Sequence, residues 1–175
     1  MGSFPGGTVV RVTPTLTTDT YAAGDALFLA TKIPNAVKNR GGVSYLSAMF
    51  FLDKSDNDDG ATDIIFGFQE KEGTTIASGG INTSVDISNS DLANNKVLGY
   101  ARSIGDNATT ASHIDNARIH MVFPGGGVNE NAGPNLMLKA DEGSTDVYVW
   151  AVLEASTPDY AVDSLELIFH IKYLD

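Results

Sequence analysis

Apolar and polar residues alternate with a period of two along most of this chain. The clearest case is 161–173, in which apolar side chains occupy every second position from Leu165 to Tyr173. Because successive side chains of a strand point to opposite faces, this pattern predicts a strand with one face on a core and the other toward water. The same pattern, or a weaker form of it, predicts further strands at Val9–Val12, 27–33, 43–52, 64–68, 97–104, 117–123, 135–139 and 147–153.

Two of these segments are apolar on both faces. In 147–153 every residue is apolar, and in 43–52 strict alternation would put a group of apolar residues on each face of the strand. The two groups in 43–52 would be Val43, Tyr45, Met49 and Phe51 on one face and Leu46, Ala48, Phe50 and Leu52 on the other. A strand covered on both faces lies in the centre of a sandwich or under a subunit contact. Of these two positions, we expect the sandwich centre.

Turn-forming residues separate the predicted strands. Glycine, asparagine and aspartate cluster at 39–42, 56–60, 78–80, 105–107 and 124–127, and such residues tolerate positive φ or bond to their own backbone. Helical periodicity is confined to one short capped turn at 88–93. Many short strands with frequent turns predict an all-β fold, an antiparallel β-sandwich that is jelly-roll-like, formed by a single domain at 21–175.

The first twenty residues differ in character from the rest. Prolines, glycines and threonines surround the short apolar patch Val9-Val10-Arg11-Val12. We expect residues 1–20 to form either an edge strand of the domain or an extended N-terminal arm that pairs with the sheet of a neighbouring subunit. Val9, Val10, Arg11 and Val12 are therefore the candidate partner-binding residues.

Charge limits the classes of partner. The 175 residues include 11 Lys plus Arg and 22 Asp plus Glu, a net charge of −11. Such a charge repels phosphate backbones and anionic lipids, so we expect no nucleic-acid and no membrane partner. The longest uncharged apolar stretch, 41–52, is too short to span a bilayer, and the N-terminus does not have the pattern of a secretory signal. With no cysteine, disulfides and thiolate metal sites are excluded.

No motif for catalysis or for a cofactor stands out. The acidic run Asp53–Asp63 fails as a helix–loop–helix calcium loop because Phe66 occupies the position of the bidentate carboxylate. We interpret it as a solvated turn, with a looser cation site in this strand connection as the alternative. The three histidines, His113, His120 and His170, lack metal-ligand spacing and are expected at the surface. There is no Gly-x-Ser-x-Gly elbow and no Gly-Lys-Ser/Thr phosphate loop. We therefore expect no enzyme activity, no metal and no cofactor.

One pair of aromatic residues leaves an alternative open. Tyr148 and Trp150 fall on the same side of the strand predicted at 147–153. Flat aromatic faces match the apolar faces of pyranose rings, so an exposed pair could bind sugars, although a buried pair is much commoner in cores.

Several segments together resemble a family of small virion structural proteins of tailed, often marine, bacteriophages. They are Ile33-Pro34-Asn35-Ala36-Val37, Arg40–Leu46, Leu52–Asn57, Asp63–Phe66, the opening Val9–Pro14 and the closing Leu165–Phe169. The resemblance covers most of the chain as a pattern of strands and turns and includes no catalytic motif. It implies a capsid decoration or cement role.

The expected function is therefore that of a non-enzymatic virion structural protein. It would be made in the host bacterial cytoplasm, and it would bind capsomer junctions on the capsid exterior as a homo-oligomer, a trimer, with the major capsid protein as partner. Docking would use one sheet edge together with Val9–Val12. Strong acidity suits the outside of a shell filled with DNA, because negative charge on the inner face would be repelled. The alternative is a carbohydrate- or host-receptor-binding module of a head fibre or tail.

Overall fold

The computed structural model describes residues 6–54, 63–73, 75–103, 111–114, 117–124, 136–155 and 157–174. In these ranges the chain forms ten strands and one short helix. In chain order the elements are β1 (Gly7–Val12), β2 (Ala26–Ile33), β3 (Val43–Asp53), β4 (Ile64–Gln69), α1 (Asn89–Asn94), β5 (Val97–Ser103), β6 (Ala111–Ile114), β7 (Ala117–Pro124), β8 (Leu136–Lys139), β9 (Val147–Leu153) and β10 (Leu165–Tyr173).

The strands form two antiparallel sheets that pack face to face. The front sheet has the order β1-β10-β3, with β7 and β8 side by side along the far edge of β3 and β6 paired to β7. The back sheet has the order β2-β9-β4-β5, and the end of β7 pairs with β5 and so joins the two sheets. The predicted all-β antiparallel sandwich is confirmed, whereas the jelly-roll arrangement stays a prediction.

Aromatic side chains fill the space between the sheets. The ring of Phe66 from the back sheet lies 6.0 Å from that of Phe51 in the front sheet and 6.3 Å from that of Phe28. A second contact across the core joins Phe68 to Phe169, with ring centroids 6.3 Å apart and edge to face. Aromatic pairs in tilted or edge-to-face geometry add to the stabilisation from burial alone.

A β-bulge at Ser47 interrupts the alternation of β3. The register against β10 advances from Ala48, opposite His170, to Leu46, opposite Ile171, so Ser47 has no partner residue of its own. The extra residue puts Leu46 and Met49 on the same, inward side, where both are fully buried. Our prediction that they face opposite ways was therefore wrong. Periodicity alone does not reveal a bulge, since one inserted residue reverses the facing of the residues on either side of it.

The prediction that His120 lies at the surface was also wrong. Its residue is only 2% exposed, and its ring stacks on Phe51 with centroids 4.2 Å apart and planes 3° from parallel. His120 lies opposite Phe51 in the register of β3 and β7 and shares its inward face. The outward pair on the neighbouring strands is Phe50 and His170, whose rings meet edge on at 5.5 Å.

The N-terminal segment forms an edge of the front sheet. From Gly7 to Val12, β1 pairs with residues 167–172 of β10 in the same chain. Val10 and Val12 pack against the core, while Val9 and Arg11 face outward. Within the described residues no strand pairs with the other edge of β1.

A cluster of charges fastens β8 to the β4–β5 connection. The carboxylate of Glu70, mostly buried, accepts hydrogen bonds from the ammonium of Lys139 at 3.1 Å and lies 3.2 Å from that of Lys96. Lys96 also donates to Asp141 at 2.6 Å. This hydrogen bond lowers the pKa of Asp141 and raises that of Lys96. Helix α1 ends just before Lys96 in the chain. It begins with a capping box in which Ser88 and Asp91 bond to each other's backbone N–H.

We predict that neighbouring phenylalanines of β3 differ sharply in their contribution to stability. Phe51→Ala removes a core ring and should lower the free energy of unfolding by about 3–5 kcal/mol. Phe50→Ala removes an outward, half-buried ring and should cost about 1 kcal/mol, since less apolar area leaves water when the chain folds. Urea denaturation measures both values. Equal losses would contradict the assigned facing of β3.

We predict a small acid-sensitive contribution from Asp141. Because its pKa is lowered in the folded chain, its pairing stabilises the protein above the ordinary aspartate range and is lost as pH falls through the lowered value. Asp141→Asn should therefore lower the melting temperature at neutral pH, and the difference from the parent protein should close in strong acid. Asp19→Asn, at an exposed aspartate of the 17–20 segment, is the control and should show no such convergence.

Candidate binding surfaces

The outward face of the front sheet carries a continuous apolar band. Its members lie on three adjacent strands and are Phe50, Leu52, Ile119, Met121 and Ile168. The register places Phe50 between Ile168 on one side and Met121 on the other, and sets Leu52 opposite Ile119. All ten described strands belong to the two sheets and α1 lies beside the back sheet, so no described strand or helix covers this band. Met121 is 43% exposed and Ile168 only 9%, while the other three members of the band are partly exposed.

Strand β1 borders the apolar band on one side. Arg11 lies opposite Ile168 in the register, and its guanidinium pairs with the carboxylate of Glu166 at 2.6 Å. Val9 lies opposite His170 and is 54% exposed. The band therefore runs up to an edge strand whose outer side pairs with no strand of the described residues. Such an edge can accept a strand from another chain.

The outward face of the back sheet is organised around Trp150. Its indole lies over Gly67 of the neighbouring strand, in the space that a Cβ at Gly67 would occupy. Tyr100 lies opposite Gly67 on the far side and is 48% exposed. The absence of a side chain at Gly67 thus makes room for the indole over this strand.

A groove of about 410 Å³ opens beside these two rings. Its apolar wall comes from Leu92 of α1 and from Val97 and Ile65, and its polar end from Arg102 and Glu154. Arg102 forms an ion pair with Glu154 and lies 3.7 Å from Asp63. Pockets of this size, mostly apolar with a few polar groups at fixed positions, are typical of small-ligand sites.

The indole N–H of Trp150 has no hydrogen-bond partner among the described residues, although the residue is only 8% exposed. A buried donor without an acceptor is uncommon and costs free energy. Tyr148 shares the outward face but lies further along β9, opposite Lys32 and Gln69. Burial raises the pKa of its phenol. The structure thus separates the predicted pair: Trp150 lines the groove and Tyr148 does not.

The remaining candidate residues lie apart from this groove. Val9–Val12 are in β1 of the front sheet, and His170 is exposed on β10. His113 lies in β6, a strand that the polar composition of the segment did not predict. Of the acidic run, 55–62 lie outside the described residues. Among those described, no three histidine, aspartate or glutamate side chains converge to hold a metal.

Sequence reasoning did not single out Gly67, Tyr100, Arg102 or Glu154. The available signal was the period of two in 97–104, which puts Tyr100 and Arg102 on one face. The pairing of that face with Trp150 depends on contacts between strands far apart in sequence, and no local pattern shows these.

Comparison with known proteins does not place the chain in a family. No protein-family model, no curated protein and no solved structure matches the chain. Within the described residues no helix is long and apolar enough to cross a membrane. The function must therefore be argued from the surfaces themselves.

We predict that Gly67→Ala disturbs Trp150 directly. The added methyl overlaps the indole, so the ring must move, and the free energy of unfolding should fall by about 1–3 kcal/mol. The chain has a single tryptophan, so its fluorescence maximum should shift with the displaced ring. Gly6→Ala is the control, because a Cβ there meets nothing within 4 Å. An unchanged emission spectrum in Gly67→Ala would contradict the packing of the indole on Gly67.

Proposed function

We propose that this protein is a non-enzymatic virion structural protein that decorates and stabilises the outside of a phage capsid. The observation that carries the proposal is the apolar band of the front sheet, which no described strand or helix covers and which lies beside the edge of β1 that no described strand pairs with. The sequence resemblance to small virion structural proteins of tailed bacteriophages supports the same role.

The apolar band suits attachment to another protein. Contiguous apolar surface on a soluble chain marks an interaction site more often than scattered exposed residues do. Aromatic and methionine side chains, here Phe50 and Met121, are enriched at interface centres. The charged rim of Arg11 and Glu166 beside the band matches the usual arrangement of an apolar centre and a polar border.

The edge of β1 supplies the second part of the attachment. A capsid strand, or a strand from a neighbouring copy, would add to the front sheet beside Val9–Val12 by backbone hydrogen bonds. The apolar band and this edge are adjacent, so one partner surface would engage both. A trimer at threefold positions would present three such surfaces, and contacts that are modest singly gain strength when they are linked.

The net charge of −11 supports an external position. Packaged DNA is densely negative, so an acidic protein is repelled from the inner face of the shell and tolerated on the outer face. The same charge keeps many closely spaced copies soluble.

Electron cryomicroscopy of the parent virion tests the proposal. We expect density with the shape of this sandwich on the outer surface, with the front sheet and the β1 edge against the shell. Absence of the chain from purified virions would overturn the proposal, and so would density that turns the front sheet fully toward solvent.

A binding assay tests the surface itself. We predict that Met121→Glu, at the most exposed position of the band, lowers co-sedimentation with capsids at least tenfold, because it places a charge in an apolar contact. Val162→Glu introduces the same charge at an equally apolar, 54% exposed position outside the band and is the matched control. Circular dichroism and melting temperature confirm that both variants fold. Equal binding by the two variants would contradict attachment through the band.

A further inference from the structure

We propose that the groove on the back sheet is a binding site for a neutral saccharide, with room for one or two pyranose rings. The groove lies on the opposite side of the sandwich from the apolar band, so the inference is independent of attachment to a capsid. It rests on three features: the exposed ring of Tyr100, an apolar wall that includes Trp150, and a paired cation and anion at one end.

The aromatic features suit the apolar face of a sugar ring. Axial C–H bonds of a pyranose carry partial positive charge and pack on the negative face of an aromatic ring. Tyr100, 48% exposed, offers such a face, and Val97 and Leu92 continue the apolar wall. Because a Cβ at Gly67 would overlap the indole, the glycine is what lets Trp150 line the groove.

The polar features suit hydroxyl groups. A sugar hydroxyl is a small uncharged group that can both donate and accept a hydrogen bond. At the polar end, Arg102 donates only and the Glu154 carboxylate accepts only, so a hydroxyl that bridges them would use both of its roles. The ion pair already holds these two side chains in place, which reduces the entropy lost on binding.

The charges of the groove select against anionic ligands. Arg102 is balanced by Glu154, and Asp63 adds a further negative charge 3.7 Å from the guanidinium. The whole chain also carries a net charge of −11. A phosphate, sulfate or sialic acid would be repelled, whereas a neutral sugar carries no charge to be repelled.

Trp150 gives the site its own reporter, since it is the only tryptophan in the chain. We would screen the protein on a glycan array and titrate the neutral sugars that bind, with glucose, galactose, mannose, N-acetylglucosamine and their short oligomers as the panel. We expect saturable binding of at least one neutral saccharide with a matching change in Trp150 fluorescence. Sulfated and sialylated forms of the same glycan should bind at least tenfold more weakly.

Variants locate the site. Tyr100→Ala should weaken saccharide binding at least tenfold, and Glu154→Gln should weaken it several-fold while keeping the size of the side chain. Tyr45→Ala, the same change on the outward face of the front sheet, is the matched control and should bind like the parent protein. Melting temperatures confirm folding, and co-sedimentation with capsids should be unchanged in Tyr100→Ala.

Three results would overturn the inference. They are no binding by any saccharide of the panel or array, full binding by a folded Tyr100→Ala variant, and stronger binding of the anionic forms. None of these results touches the capsid proposal, because Met121 and the apolar band lie on the other sheet.

Discussion

The burial of one face of each sheet against the other is the constraint on which the rest of the structure depends. A strand has only two faces, and the aromatic contacts from Phe51 to Phe66 and from Phe68 to Phe169 assign the inner one to the core. The residues on the outer faces do not have to be apolar to form this core. Apolar side chains that remain on an outer face, such as Phe50 and Met121, therefore point to contacts with something outside the described chain.

Much of the fold could be predicted from the sequence, because a strand that borders water on one side shows a period of two. That signal located β9 and β4 within a residue, and it placed β10 inside the predicted 161–173, of which only 165–173 forms the strand. Ser88 marked the start of the helical turn. The signal could not find β6, a strand of four residues without a clear alternation of apolar and polar positions. It also misassigned Met49 and His120, since a bulge and a stacked histidine are set by neighbouring strands and leave no local trace.

The candidate sites were less accessible to sequence reasoning. The tryptophan was noticed, but Gly67 and Tyr100 acquire their importance only when β4 and β5 come to lie beside β9. For the apolar band, the two-faced pattern of 43–52 was visible, and we expected the sandwich centre as its cause. The structure puts only one of those faces in the core. The other face is the basis of the attachment that we propose.

The position of β10 affects how the chain folds. This strand is the last in the described sequence, yet it lies between β1 and β3 and joins them into one sheet. Until residues 165–173 have left the ribosome, the first strand has no neighbour to pair with and the front half of the core stays open. Assembly of the sandwich is therefore a late, long-range event, slower than in folds built from local contacts, and the growing chain exposes apolar strands that must be kept from pairing with other copies.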